Sequence, residues 1–366
     1  MNTYSVSRLA LALAFGVTLS ACSSTPADQQ PSTQTAPGTT ARPILNAEEA
    51  KNFTPAAYFQ SLAPNAAATG RRLPSACRRS LTLSSALREP EGVTHTTIQA
   101  AVDAAIARHS NRRLYIAIMP GEYPGTVYVP AAPGALTLYG TGDKPIDVKI
   151  SEAIDSEMDR NTGVVWSIQC GKYMPGKPAW YMFDSCQSKS AATIGVMCSA
   201  VFWSQNNGLQ LQNLTIANNL GDSVDAGTHR GGGIAQRWRP VQINKVNILG
   251  RQNTFFVTNS GVQNRLQDNR QTRTPVTNSY IEGDVDIVSG RGAVVFDNTD
   301  FRVVNSRTQK EAYVFAPATL KSVTYGFLAT NSRFTASGDN VAQLGRALDV
   351  DGNSNGRGGD PRQRYQ

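Results

Sequence analysis

Asn278-Ser279-Tyr280-Ile281-Glu282-Gly283-Asp284-Val285-Asp286-Ile287-Val288-Ser289-Gly290 opens on an asparagine followed three residues later by an apolar side chain, and that short phrase returns along the chain. Asn213 with Ile216, Asn298 with Phe301 and Asn331 with Phe334 repeat it, and Lys245 with Ile248 fills one slot without the asparagine. The successive intervals are 32, 33, 20 and 33 residues. Unequal intervals around a common phrase suit the coils of a solenoid with loops inserted between them. Propellers and sandwiches favour antiparallel hairpins with two-residue turns, and few such turns occur here. The expected fold is all-β, a single parallel β-helix. Its adjacent coils would lie about 4.8 Å apart, so that segments thirty residues apart in the chain meet in space.

Working outward, Thr96 to Ala107 places Ile98, Val102, Ala105 and Ile106 at helical spacing. The run Leu114-Tyr115-Ile116-Ala117-Ile118-Met119 then reads as a buried strand, Pro120 to Tyr123 as a turn, and Val127 to Val129 and Leu136 to Tyr139 as short strands. A short amphipathic helix ahead of a series of short strands is the opening of a β-helix, with the helix as its N-terminal cap.

At the start of the chain, Arg8 precedes the apolar run Leu9 to Leu19, which ends in Leu19-Ser20-Ala21-Cys22. A membrane span needs roughly 20 apolar residues, so this shorter run reads as a cleaved secretory signal. Its end resembles the lipobox of bacterial lipoproteins. That resemblance implies residues 1–21 as signal peptide, Cys22 as the lipidated first residue, and an anchor on the periplasmic face of the outer membrane. Residues 22–42, rich in Ser, Thr, Pro, Gln and Ala, read as a flexible tether. An extension over 43–91, a β-helix over 92–355 and an irregular tail over 356–366 complete the expected organisation. The formal charge of +8 would suit a polygalacturonate or an anionic membrane surface, but it lies in local clusters such as Arg71-Arg72 and Arg237 with Arg239, joined by no basic groove. No nucleic-acid motif is present, and no cysteine spacing suggests zinc. With Cys22 assigned to lipid, Cys186 and Cys198, twelve apart in an orderly stretch, are the pair expected to form a disulfide, with free core thiols as the other reading. Cys77 and Cys170 lie in irregular stretches and are left unpaired.

Two segments carry a family resemblance: Gly250-Arg251-Gln252-Asn253-Thr254-Phe255-Phe256 and Ile281 to Gly290. They resemble the pectinesterase motifs G-x-Q-D-T-L-Y and I-x-G-x-V-D-F-I-F-G. Further signposts occur in the family's order: Thr97 to Val102, Pro120-Gly121-x-Tyr123, Leu136 to Gly140, Leu211 to Asn218, Ala293 to Phe296 and Leu344-Gly345-Arg346. The resemblance runs from about Gly92 to Asn355. It implies a right-handed parallel β-helix of the pectin-lyase-like kind, a monomer without cofactor or metal, and an aspartyl ester hydrolase. In that site Asp286 would be the nucleophile, Gln252 an oxyanion donor, and Arg346 a guanidinium forked onto Asp286. Phe255 and Phe256 would be groove wall or core in equal measure, and Phe255 is taken with Leu348 as a substrate contact.

Three departures bear on the reaction. Asn253 stands where the family has its acidic Asp. Leu348 occupies the substrate-contacting position of a Trp, and no Gln of a Q-A-V-A-L segment lies between His229 and Pro240. The chain more closely resembles a branch of outer-membrane lipoproteins assigned to acyl-CoA thioester hydrolysis, which shares the Asn. An amide has no labile proton to give a poor leaving group such as methoxide. A thiolate, whose conjugate acid has a pKa near about 8.5, leaves with little help. The function expected is therefore an outer-membrane ester hydrolase favouring a thioester or another good leaving group, with a small-molecule ester or a pectin-like polysaccharide as substrate. The alternative is an inactive, saccharide-binding or structural envelope lipoprotein.

Four stretches break the pattern: Gly70 to Arg88, Ser151 to Cys170, Arg230 to Pro240 and Gly356 to Gln366. Each is abruptly rich in Arg, Trp, Cys, Gly or Ser, as a shifted reading frame would make it. Each is read as lacking β-helix alternation, and the inner ones lie between segments that resume the family pattern. Asp284 is expected to face away from Asp286's neighbours or towards solvent, without a role.

Overall fold

Left-handed backbone at the repeated asparagines is what turns this chain into coils. Asn213, Lys245, Asn278, Asn298 and Asn331 all have φ between 49° and 54°. Asparagine tolerates that conformation better than most side chains do. Strand register puts the five at one rung, since Asn244 pairs with both Gln212 and Thr277, Thr277 with Asp297, and Asp297 with Thr330. At this corner each coil bends from one face to the next, and the side chains link the coils. Asn298 donates to Asn278 at 2.8 Å, Asn278 to Asn244 at 2.9 Å, and Asn331 to Asp297 at 2.8 Å.

The computed structural model describes residues 46–59, 81–83, 95–159, 171–187, 192–225, 229–237, 241–258, 272–304, 306–307, 312–319, 324–339 and 341–346. All belong to one unit, Pro37–Gln366, and every pairing between their strands is parallel. The architecture is a right-handed parallel β-helix with three faces. The first face stacks Leu81–Leu83, Leu114–Ile118, Leu136–Gly140, the first half of Leu209–Asn218, the first half of Val241–Leu249, Arg273–Thr277, Ala293–Asp297 and Phe327–Thr330. On the second lie Gly121–Pro124, Val148–Glu152, the later halves of the two long strands, Tyr280–Gly283, Asp300–Val303 and Arg333–Ala336. The third stacks Val127–Val129, Phe202–Ser204, Ile234–Arg237, Phe255–Thr258, Val288–Gly290, Ala312–Pro317 and Ala342–Gly345.

Inside, branched and aromatic residues stack rung on rung, with Ile216, Ile248, Ile281 and Phe301 in register and fully or almost fully buried. Burying each such side chain contributes roughly 1.5–3 kcal/mol. The capping helix Ile98–Ala107 is started by Thr97, whose hydroxyl accepts from Ala100 N–H at 3.2 Å, and it buries Ile98, Ala101, Val102, Ala105 and Ile106. Cys186 and Cys198 form a disulfide between the helices Trp180–Gln187 and Gly195–Cys198.

Four expectations need correction. Pro120 to Tyr123 is more than a turn, because Gly121–Pro124 is a second-face strand paired with Val148–Ser151. The parallel stack begins before residue 92, since Leu81–Leu83 pairs with Ile116–Ile118. Within Arg230–Pro240, Ile234–Arg237 is an interior strand of the third face, between Phe202–Ser204 and Phe255–Thr258. Buried on both sides, Ile234, Ala235 and Gln236 have no polar face to show, so no alternation marks them. Within Ser151–Cys170, Ser151 and Glu152 belong to a strand, and Asp155 and Ser156 are buried. The signal segment, Cys22, the tether, Cys77, Cys170, Leu348 and the tail from 356 lie outside the described residues.

Candidate active site

Where a coil enters the third face, the backbone takes a second left-handed step, and there the chain carries functional groups. Asn253 has φ 58° and Asp286 φ 52°. Phe255 pairs with Val288, so Asn253 and Asp286 occupy the same rung position on adjacent coils. Asn253 N–H donates to Val285 O at 3.1 Å and Phe255 N–H to Ile287 O at 2.8 Å, clamping the two turns together. Two glycines allow the close approach. A Cβ at Gly283 would come 2.5 Å from Thr254 Oγ1 and 2.6 Å from Arg251 O, and one at Gly290, with φ 113°, would come 1.8 Å from Val257 O. Thr254 Oγ1 closes the turn, its one proton shared between the carbonyls of Arg251 at 3.0 Å and Glu282 at 2.9 Å.

Arg346 reaches Asp286 from the end of the third face. Its Nε donates to Oδ1 and its Nη2 to Oδ2, both at 2.7 Å, a bidentate fork that sets the carboxylate plane. Gly345 pairs with Phe315, so the guanidinium crosses one coil on its way and lies over the Tyr313 ring, 4.5 Å from its centroid. Asp286 is 6% exposed, while the Arg346 side chain is 30% exposed, so one edge of the pair is open to solvent.

Gln252 and Asn253 stand beside this carboxylate, and their amide oxygens, both buried, make no hydrogen bond. An unpaired buried amide costs about 1–3 kcal/mol, which a visiting polar atom would recover. Turning either amide over presents N–H donors instead. The coil before them is bare at that rung, because Ile234 pairs with Phe255 and so sets Gly231 and Gly232 level with Gln252 and Asn253.

Phe255 does not line the groove. It is wholly buried and packs edge-on against Phe296, with centroids 6.4 Å apart, whereas Phe256, on the opposite side of the strand, is half-buried. Strand alternation sends the first aromatic of the pair inward. Asp284 also departs from expectation: it is fully buried and forked by Arg307, Nε to Oδ2 at 2.6 Å and Nη2 to Oδ1 at 3.0 Å. A carboxylate at this depth needs such a partner. Sequence reading missed Arg307 and Tyr313, since neither lies in a motif, although the register of Tyr313 under Asp286 follows once the coils are aligned. Around the opposite side of the turn, Arg251 binds Asp222 at 2.7 Å and Glu282 at 3.2 Å.

A stacked Asn and Asp at the mouth of one β-helix face, with an arginine fork, invites comparison with known proteins. No family model matches the chain. The Escherichia coli protein named "Putative acyl-CoA thioester hydrolase YbhC" is 70% identical over 98% of this chain and 83% of its own. Its crystal structure superposes with a TM-score of 0.80 at 67% identity, over 90% of this chain and 83% of that one. Pectinesterase B of Dickeya dadantii is 42% identical over 95% of this chain and 83% of its own. The chain belongs to the pectinesterase family. A solved rice weevil pectin methyl esterase agrees, with a TM-score of 0.71 and 33% identity over 86% of this chain and 80% of that one. As a pectinesterase-family hydrolase, the chain has its fold and class settled by these relatives, and the family resemblance of the two segments above is a true kinship.

Proposed function

We propose that this protein is an aspartyl ester hydrolase for substrates with a good leaving group, thioesters above all. The observation that carries the reading is the Arg346 fork on Asp286, which leaves the carboxylate at the mouth of the face beside two unpaired amides. One Asp286 oxygen attacks the carbonyl carbon, forming a C–O bond while the carbonyl π pair moves to its oxygen. Gln252 and Asn253 meet that oxyanion with amide N–H groups. Collapse breaks the bond to sulfur, releasing thiolate and leaving the acyl group on Asp286 as an anhydride. Water then attacks the acyl carbon, the acyl C–O bond to Asp286 breaks, the carboxylic acid departs, and the second proton of the water passes to the released thiolate through solvent, so that ionised Asp286 is regenerated. Asn253 supplies no proton to the leaving group, which is why a thiolate suits the site better than methoxide.

The test compares purified wild type with Asp286→Ala on an acyl-CoA and on methyl-esterified pectin. Thioester hydrolysis should fall by about 10³-fold or more in the variant, and equal rates for the two proteins would sink the proposal. A second reading, a saccharide-binding envelope protein without turnover, is favoured by Asn253 and by the glycines at Gly231 and Gly232. Saturable oligosaccharide binding with no Asp286-dependent hydrolysis would select it. For location, we propose lipid anchoring of Cys22 at the periplasmic face of the outer membrane. Cys22→Ser should move the protein from the membrane fraction to the soluble one, and unchanged partition would dismiss the anchor.

A further inference from the structure

Two residues before Asp286, the Asp284 carboxylate is tied on every side. Besides the Arg307 fork, its Oδ1 accepts the Val285 N–H at 2.6 Å, and its main-chain carbonyl accepts the N–H of Tyr313 at 3.2 Å, the residue whose ring lies under Arg346. Arg307 also faces the other way. Its Nη1 donates to the carbonyls of Asp225 at 3.0 Å and His229 at 3.4 Å. His229 is itself bound through Nδ1 to Asp155, and Arg230 exchanges hydrogen bonds with Ser156, N–H to Oγ at 3.1 Å and carbonyl from the Ser156 N–H at 3.0 Å. Gly231 comes next, and its carbonyl accepts from Arg251 N–H at 3.4 Å, one residue before Gln252.

Stability alone does not call for this pair. Replacing a buried ion pair by apolar side chains of similar volume is often neutral or favourable. What an apolar pair lacks is direction. A guanidinium offers five donors in a rigid fork, enough to hold a carboxylate on one edge and two carbonyls on the other. We propose that Arg307 is a positioning residue that locks the Asp284–Asp286 turn to the segment leading from Asp225 and His229 into the glycine rung beside Asn253. The carboxylate and the opposite lip of the site then keep one geometry. The inference rests on the reading of Asp286 as nucleophile only for its kinetic consequence; the coupling itself is a property of the fold.

The test uses the full chain carrying Asp284→Leu with Arg307→Met, which removes both charges together, and separately Arg307→Lys, which keeps charge without the fork. Amide hydrogen exchange should rise about tenfold or more in two places at once, peptides covering 229–233 and peptides covering 283–288, while the other described strands stay protected. Thioester turnover should show kcat lowered about 10²-fold, the scale of a misplacement near 1 Å, with KM within about twofold. Unchanged exchange at either segment in a folded variant overturns the proposal. If the double variant does not fold, Arg307→Lys read by the same exchange measurement decides it. Should Asp286→Ala retain full turnover, the nucleophile reading fails while the exchange result still judges the coupling.

Discussion

Asp284 and Asp286 are neighbours on one turn, each forked by an arginine from a later coil, and they differ in what surrounds the fork. At Asp284 both side chains are fully buried and Nη1 of Arg307 is spent on two main-chain carbonyls. At Asp286 the arginine is partly open, its guanidinium lies over the Tyr313 ring, and two amides nearby have unmet oxygens. The same chemistry is closed in one case and left unfinished in the other. A carboxylate–arginine pair is therefore no sign of a site by itself; what marks Asp286 is the open edge and the unmet neighbours.

Breaking the closed pair should be the costlier change for the fold. Asp284→Ala leaves Arg307 buried and unpaired and should lower unfolding free energy by about 3–5 kcal/mol. Asp286→Ala should cost about 1 kcal/mol or less, because Arg346 can turn to water. Urea denaturation of the two variants measures the gap, and equal losses would erase the distinction between the pairs. The open pair can be sharpened by restoring an acid next to it. Asn253→Asp should raise methyl-ester hydrolysis relative to thioester hydrolysis by about 10²-fold, the lower end of what acid–base assistance supplies. An unchanged ratio of the two kcat/KM values would show that the amide does not set the leaving-group preference.

A smaller effect lies on the segment that Arg307 holds. The hydrogen bond to Asp155 raises the His229 pKa above its usual value. A histidine raised on folding contributes stability that is fully present below its unfolded pKa and is lost as pH rises through the folded one. The advantage of wild type over His229→Gln should thus be largest near about pH 5.5 and shrink towards about pH 9, read from urea midpoints across that range. A gap that stays constant with pH would mean that folding leaves the His229 pKa unchanged. Smallest of all, Arg333→Ala removes an ion pair to Asp300 on the exposed second face, and the denaturation midpoint should not move measurably. A clear shift there would mean that exposed and buried forks are energetically alike.

Much of this is legible in the sequence. The Asn-x-x-apolar phrase located the corner where five coils turn, because a left-handed step favours asparagine wherever it occurs. The helical spacing from Thr96 located the cap. Motif order placed Gln252, Asn253, Asp286 and Arg346 together; the first three lie on stacked turns of the third face, and Arg346 reaches them from the end of that face. Ile234–Arg237 escaped, since a strand buried on both sides leaves no alternation to read. Phe255 was misplaced because a motif names residues without saying which of two adjacent aromatics points inward. Asp284 escaped for a different reason. Its partner is 23 residues away in the chain, and burial depth has no local signature.

By itself the sequence determined the coil period, the corners, the family and the residue types gathered at the candidate site, because each depends on local backbone preference or on residue type at short range. Only the tertiary structure decided which of two carboxylates is sealed and which is open, which aromatic belongs to the core, and that Arg307 joins the Asp286 turn to the opposite lip of the site. Those outcomes depend on what packs against a residue from coils far along the chain, and burial and hydrogen-bond satisfaction are settled by all of those neighbours at once.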